Sequence, residues 1–111
     1  KKETKLVTNL TWTNKDYFEI NDGWKACIYE EAIGFTEASD YEIAALETKD
    51  VSVGDEAVIF NVSFSSVQNF TIAVFNDLNS NGQFDEGENA AVTFDTFDAG
   101  ESVNVDLEVD Y

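Results

Sequence analysis

Apolar and polar residues alternate along two stretches of this chain, and this period of two is the feature that most restricts its fold. In "VIFNVSF" (58–64) every second residue is Val or Phe, and in "SVNVDLEVD" (102–110) Val and Leu alternate with Asn, Asp and Glu. Successive side chains of a β-strand point to opposite faces, so both stretches are predicted as strands with one buried face. Further strands, rich in β-branched and aromatic residues, are predicted at 6–12, 24–30, 70–76 and 90–95.

Short turn-forming sequences separate these strands. "NDG", "VGDE", "SSVQN" and "DAGE" carry the Gly, Asn, Asp and Ser residues that turns favour. Short strands interrupted this often favour an antiparallel β-sandwich over alternating strands and helices. A chain of 111 residues fits one domain. We therefore expect an all-β domain of about 6–8 strands over residues 6–111, after a solvated tail at 1–5.

The stretch "EASDYEIAALETKD" allows two interpretations. Ser39 and Glu42 have the capping-box spacing of a helix start. Alternation from Tyr41 to Ala45 fits a strand equally well. We favour a short helix or turn near 39–47.

The sequence lacks residue types that most catalytic sites use. The sequence contains no His and no Arg, so imidazole bases and guanidinium clamps are absent. Its formal net charge of −17 repels nucleic-acid backbones and anionic lipid surfaces. No apolar run approaches the ~18 residues of a membrane-spanning helix. We expect a non-catalytic protein that neither binds nucleic acid nor inserts into a membrane.

The large aromatic residues and the single cysteine are expected in the core. Cys27 lies in the apolar run "WKACIYE", where a buried small side chain is favoured over a nucleophile. Core packing is also favoured for the Trp and Tyr residues, which are Trp12, Tyr17, Trp24, Tyr29 and Tyr41. The alternative is an exposed aromatic platform that stacks on sugar rings, which would make the protein a carbohydrate-binding module. A small acidic hydrolase that uses a carboxyl pair is a weaker third alternative.

The most specific motif is "DLNSNGQFDEGE" (77–88), which matches the D-x-[DN]-x-[DN]-G-x5-E pattern of a calcium loop. Alternate positions of such a coiled loop turn oxygen atoms inward, and the glycine at the sixth position reverses the chain. The predicted ligands are Asp77, Asn79, Asn81, the Gln83 backbone carbonyl, Asp85 and Glu88. Glu86 is the alternative to Glu88 as the closing ligand. An all-oxygen set without His favours Ca²⁺ over Mg²⁺ and zinc.

Two acidic turns of the sequence allow more than one interpretation. The loop 77–88 could be an ordinary polar turn in an acidic chain, but five side chains and a glycine in register favour the ion site. Asp95, Asp98 and Glu101 form a weaker candidate for a second ion site, for which a charged turn is the favoured interpretation.

The sequences on both sides of the loop exclude an EF-hand. "FTIAVF" precedes it and "AAVTFD" follows it, and both have the β-branched and aromatic residues of strands. An EF-hand needs helices at these positions, and its calcium switch opens a groove between them. A calcium ion between two strands is therefore expected to stabilise the fold.

The segment "AVFNDLNSNGQFDEGE" (73–88) resembles a strand followed by the D-x-N-x-N-G-x-x-D-x-G-E loop of bacterial surface and secreted β-sandwich modules. These include the calcium-binding B-type repeats of Gram-positive adhesins and related transthyretin-like domains. The resemblance implies a prealbumin-like sandwich with a structural calcium. It also implies an extracellular or cell-envelope setting, as a surface-anchored protein, lipoprotein or secreted protein. Besides the calcium ion, the expected partner is a carbohydrate or another surface protein. The opening "KKETK" has no apolar signal-peptide region, so the leader that this setting implies is not in the sequence.

Overall fold

The computed structural model describes residues 1–15 and 22–111, which form strands and one short 3-10 helix. The strands are β1 (Lys2–Thr13), β2 (Trp24–Tyr29), β3 (Glu47–Asp50), β4 (Ala57–Phe64), β5 (Val67–Asn76), β6 (Ala90–Asp98) and β7 (Ser102–Asp110). The 3-10 helix (Ala38–Glu42) precedes β3. The described part of the chain contains no helix long and apolar enough to cross a membrane.

The strands form the two sheets of a β-sandwich, which confirms the predicted fold class. One sheet has the strand order β4-β1-β7 and the other has the order β3-β2-β5-β6. β1 and β7 are paired in parallel, and the other pairs are antiparallel. The chain changes sheet four times, between β1 and β2, β3 and β4, β4 and β5, and β6 and β7. β5 and β6 are neighbours in one sheet and are joined by the loop 77–89.

The main core lies between the sheets and is built by the predicted alternation. Trp24, Phe60 and Phe70 are among its fully buried side chains. The Phe64 and Phe70 rings meet edge to face, with centroids 5.1 Å apart. Each such pair adds about 0.5–1.5 kcal/mol beyond the burial of its area. The expected core position of Trp24 is therefore confirmed.

A second apolar cluster covers the opposite, outer face of the four-stranded sheet. Cys27, Tyr29 and Phe75 project from this face, and the connection between β2 and β3 packs over them. The burial expected of Cys27 is confirmed, since 1% of its surface is exposed. Phe84 of the loop 77–89 also lies in this cluster, which links the acidic loop to the sheet.

The N-terminal residues differ from the expected solvated tail. Residues 2–5 belong to β1, and Thr4 is fully buried opposite Val62 of β4. The charged residues around Thr4 are exposed, so the high local charge conceals a strand with a buried position. The boundary predicted between residues 5 and 6 is therefore wrong.

In the ambiguous stretch 37–50, the favoured short helix is present as the 3-10 helix Ala38–Glu42. The strand alternative over Tyr41–Ala45 is wrong, because β3 begins only at Glu47. The predicted capping pair of Ser39 and Glu42 is wrong. The N-cap is Glu37 instead, and the carboxylate of Asp40 at N3 accepts hydrogen bonds from the N–H groups of Thr36 (3.0 Å) and Glu37 (3.3 Å).

Candidate functional site

The loop 77–89 is fixed to the strands at its start. The Asn76 N–H donates to the Asn89 carbonyl (2.9 Å), which closes the base of the loop. The Asp77 N–H donates to the Gly23 carbonyl (2.8 Å), and the Asn76 side chain donates to the Asp22 carbonyl (2.9 Å). Residues 22–23, which precede β2, thus hold Asp77, the first predicted ligand, in place. No sequence pattern indicated this role.

Asp77 organises the first half of the loop. Its side chain is buried, with 4% of its surface exposed, and its carboxylate accepts hydrogen bonds from the N–H groups of Gly82 (2.8 Å) and Asn81 (3.3 Å). The chain reverses direction between Asp77 and Gly82, with φ of 57° at Ser80 and 78° at Gly82. The positive φ of Gly82 agrees with the prediction that this position favours glycine.

The side chains of Asn79, Asn81 and Asp85 converge. The Nδ2 atoms of Asn79 (2.9 Å) and Asn81 (2.6 Å) both donate to Oδ2 of Asp85. The amide oxygens of the same asparagines accept backbone N–H groups, from Asn81 (3.3 Å) and Gln83 (2.9 Å) respectively. Positions 3, 5 and 9 of the motif therefore face one another, as alternate positions of a coiled loop should.

Glu88 joins the two ends of the motif, whereas Glu86 is exposed. The Glu88 carboxylate accepts the N–H of Leu78 at Oε2 (2.9 Å) and the N–H of Asp85 at Oε1 (2.8 Å). Partial burial raises the pKa of Glu88, its two backbone hydrogen bonds offset part of the shift, and the negative charges of Asp85 and Asp77 raise the pKa further. The three acids of the motif thus repel one another at neutral pH.

The second half of the loop packs against the sheet. Gln83 donates from Nε2 to the carbonyl of Tyr41 (2.8 Å). The Phe84 ring is buried among the rings of Phe35, Tyr41 and Phe75, with centroid distances of 4.9, 5.3 and 5.4 Å. Sequence reasoning missed Phe84, although a large aromatic residue inside a polar loop is itself a sign of an anchor.

The donor set of the loop fits a hard cation only when its neutral oxygens are included. Within residues 1–15 and 22–111, no three Asp, Glu, Cys or His side chains gather closely enough to hold a metal ion. This holds both for the acids of the loop and for Asp95, Asp98 and Glu101. A site in the loop would therefore need the amide oxygens of Asn79 and Asn81, which are calcium ligands in chemical character.

Comparison with known proteins identifies no relative: the chain matches no protein-family model, no curated protein and no solved structure.

Proposed function

We propose that the loop 77–88 binds one Ca²⁺ ion and that the protein is a non-catalytic, calcium-stabilised β-sandwich module. The ligands are those of the motif: Asp77, Asn79, Asn81, the Gln83 carbonyl, Asp85 and Glu88. The setting is extracellular or in the cell envelope of a bacterium, as in the surface modules that the loop resembles. Its partner there is another surface protein, and a carbohydrate is the partner in the alternative function, a carbohydrate-binding module.

The observation that carries this proposal is the convergence of the motif's alternate side chains. Asn79 and Asn81 both reach Asp85, and the Asp77 carboxylate lies inside the same turn. A cation among these groups would relieve the repulsion between three carboxylates. The two amides now present nitrogen to Asp85, so calcium requires them to turn their oxygens inward. Glu88 is favoured over Glu86 because Glu88 already spans the two ends of the loop.

The compartment follows from mass action. In an extracellular fluid with ~1 mM calcium, a site with a Kd of ~10 μM would stabilise the fold by about 2.7 kcal/mol. The same site would be mostly empty in cytosol, where the carboxylates would repel one another. A structural calcium site is therefore favoured outside the cell.

Burial of the large aromatics argues against the sugar-binding alternative. Trp24 is buried in the main core and Tyr29 in the second apolar cluster, so neither ring is available to a sugar. Trp12 and Tyr41 are half-buried, and Trp12 donates from Nε1 to the Asp55 carbonyl (2.9 Å). Tyr17 lies outside the described residues. Within residues 1–15 and 22–111, the exposed large apolar residues are Leu46, Val67, Leu78 and Phe94, and they include no Trp or Tyr.

Calorimetry with matched charge variants tests the proposal. We expect the wild-type protein to bind one Ca²⁺ per chain, and Asp85→Asn to weaken that binding by about tenfold or more, because one charged ligand is lost. Asn keeps a side-chain oxygen at position 85, so the loop retains an acceptor for the asparagine amides. Calcium should also raise Tm by about 10 °C relative to chelator.

Asp98→Asn is the control, since it removes the same charge from an exposed position at the end of β6. It should leave the calcium affinity almost unchanged. Equal losses in the two variants would place the bound ion elsewhere, and absence of calcium binding in the wild type would refute the proposal.

A further inference from the structure

Phe84 connects the proposed calcium loop to the cover of the outer sheet face. It lies between two predicted ligands, Gln83 and Asp85, yet only 4% of its surface is exposed. Its ring lies against Phe35 and Tyr41, which belong to the connection between β2 and β3. One residue of the loop is therefore part of the packing that holds another segment of the chain.

That segment, residues 31–46, is bonded to the sheet mainly at its ends. Thr71 of β5 accepts the Ile33 N–H (2.9 Å), and the Leu46 N–H donates to the Ile28 carbonyl (2.8 Å). Among the described residues, the hydrogen bond that links the middle of the segment to the rest of the chain runs from Gln83 to the Tyr41 carbonyl. We call residues 31–46 the cover segment.

The conformation of the cover segment depends on its ring contacts. Phe35 has a φ of 53°, which is unfavourable for a bulky side chain and persists only where surrounding contacts hold it. Rings of Tyr29, Tyr41 and Phe84 surround it, with centroids 5.4, 5.2 and 4.9 Å away. Loss of Phe84 removes the closest of these contacts.

The loop and the cover segment are separated beside this contact. A pocket of about 190 Å³ lies between the loop and the cover segment, and its lining includes Gly82, Gln83, Ala44 and Ala45. This pocket is open to solvent, so the two segments are not in contact on this side. Their attachment therefore rests on the ring contacts of Phe84 and the hydrogen bond of Gln83.

We propose that calcium binding in the loop 77–88 orders the cover segment through Phe84 and Gln83. The coupling rests on the proposed calcium site. An ion bound by residues on both sides of Phe84 fixes the backbone that carries the ring, which raises the free energy needed to withdraw it. Without the ion, repulsion among the loop carboxylates loosens this backbone, and the cover segment opens more often from the sheet.

Hydrogen exchange measured by mass spectrometry, alongside calorimetry, tests this coupling. In the wild type we expect peptides from residues 31–46 to exchange about tenfold more slowly in calcium than in chelator. In Phe84→Ala the same peptides should exchange rapidly with and without calcium. Linkage requires the reciprocal effect, so Phe84→Ala should also weaken calcium binding by a similar factor.

Two further variants keep the result interpretable. Phe84→Leu keeps an apolar side chain at the site and should give an intermediate effect if Phe84→Ala fails to fold. Phe94→Ala removes an exposed ring from β6 of the same sheet and should behave as the wild type does. Calcium binding with unchanged exchange in residues 31–46 would overturn the coupling and leave the calcium site intact. Absence of calcium binding by calorimetry would overturn both.

Discussion

Two buried threonines of β1 show how a single hydrogen bond decides whether a polar group suits the core. Thr4 and Thr8 are both fully buried on the inner face of the strand. Oγ1 of Thr4 accepts the N–H of Gly100 (2.8 Å), whereas Oγ1 of Thr8 has no hydrogen-bond partner. A buried hydroxyl without a partner keeps its desolvation penalty, which is about 1–3 kcal/mol.

Valine substitutions at these positions should have opposite effects. Thr8→Val replaces an unsatisfied hydroxyl by a methyl group of similar size and should raise the free energy of unfolding by about 1 kcal/mol. Thr4→Val leaves the Gly100 N–H without its acceptor and should lower it by about 1 kcal/mol. Urea denaturation measures both values. A destabilising effect of Thr8→Val as large as that of Thr4→Val would contradict the assigned difference.

Cys27 predicts a specific dependence of stability on alkaline pH. Burial is the main cause that raises the pKa of its thiol from 9.0 to about 11. The unfolded chain therefore loses this proton at a lower pH than the folded chain does. The corresponding stability is fully present below pH 9.0 and is lost as pH rises from there toward about 11.

Comparison of the wild type with Cys27→Ala over this pH range isolates the effect from other titrating groups. In denaturant unfolding, the free energy of unfolding of the wild type should fall relative to that of Cys27→Ala as pH rises. A constant difference would mean that the thiol titrates alike in both states. At pH 7–8 the buried thiol should also react with alkylating reagents only as fast as the protein opens, which mass spectrometry can follow.

At the residue scale, the motif predicted which side chains meet but not how they bond. Its spacing correctly placed Asn79, Asn81 and Asp85 on the inside of one turn. It could not indicate that the asparagine amides donate to Asp85, because the direction of a side-chain hydrogen bond depends on the surrounding N–H groups. Phe84 was missed for a related reason, since its packing partners are distant in sequence.

At the scale of elements, alternation predicted the strands well where the polar positions carried neutral or acidic residues. β4 and β7 follow the predicted pattern almost residue for residue. The prediction failed at the start of β1, where lysines surround Thr4, and at the four-residue β3, which is too short to establish a period. Local sequence also carried no sign that β1 and β7 pair in parallel, because that pairing joins opposite ends of the chain.

β3 shows how tertiary contacts can define such a short element. Lys49 points toward the sandwich interior, where its Nζ donates to the Ile59 carbonyl of β4 (2.5 Å) and lies 5.5 Å from the centroid of the Phe60 ring. β3 and β4 belong to different sheets, so this lysine links the two sheets along one side of the sandwich. Neither contact can be inferred from the sequence "ETKD".

At the scale of the whole molecule, the excess of negative charge opposes folding. The formal net charge is −17, and the described residues contain two ion pairs, between Lys25 and Asp50 (2.5 Å) and between Lys49 and Glu47 (3.5 Å). One bound Ca²⁺ would change the net charge from −17 to −15, because the ion adds two positive charges. Most of the repulsion must therefore be reduced by screening in the surrounding salt.

Thermal unfolding in different salts should separate this general screening from the proposed site. In chelator, Tm should rise as NaCl increases toward about 0.15 M, because the Debye length falls to about 8 Å and the acids repel one another less. At matched ionic strength, CaCl₂ should raise Tm beyond NaCl, and MgCl₂ should raise it less than CaCl₂ does, because Mg²⁺ fits a flexible all-oxygen loop poorly. The excess due to calcium should disappear in Asp85→Asn and persist in Asp98→Asn. Coincident CaCl₂ and MgCl₂ curves would assign the whole effect to charge screening by divalent ions and leave no role for a specific calcium loop.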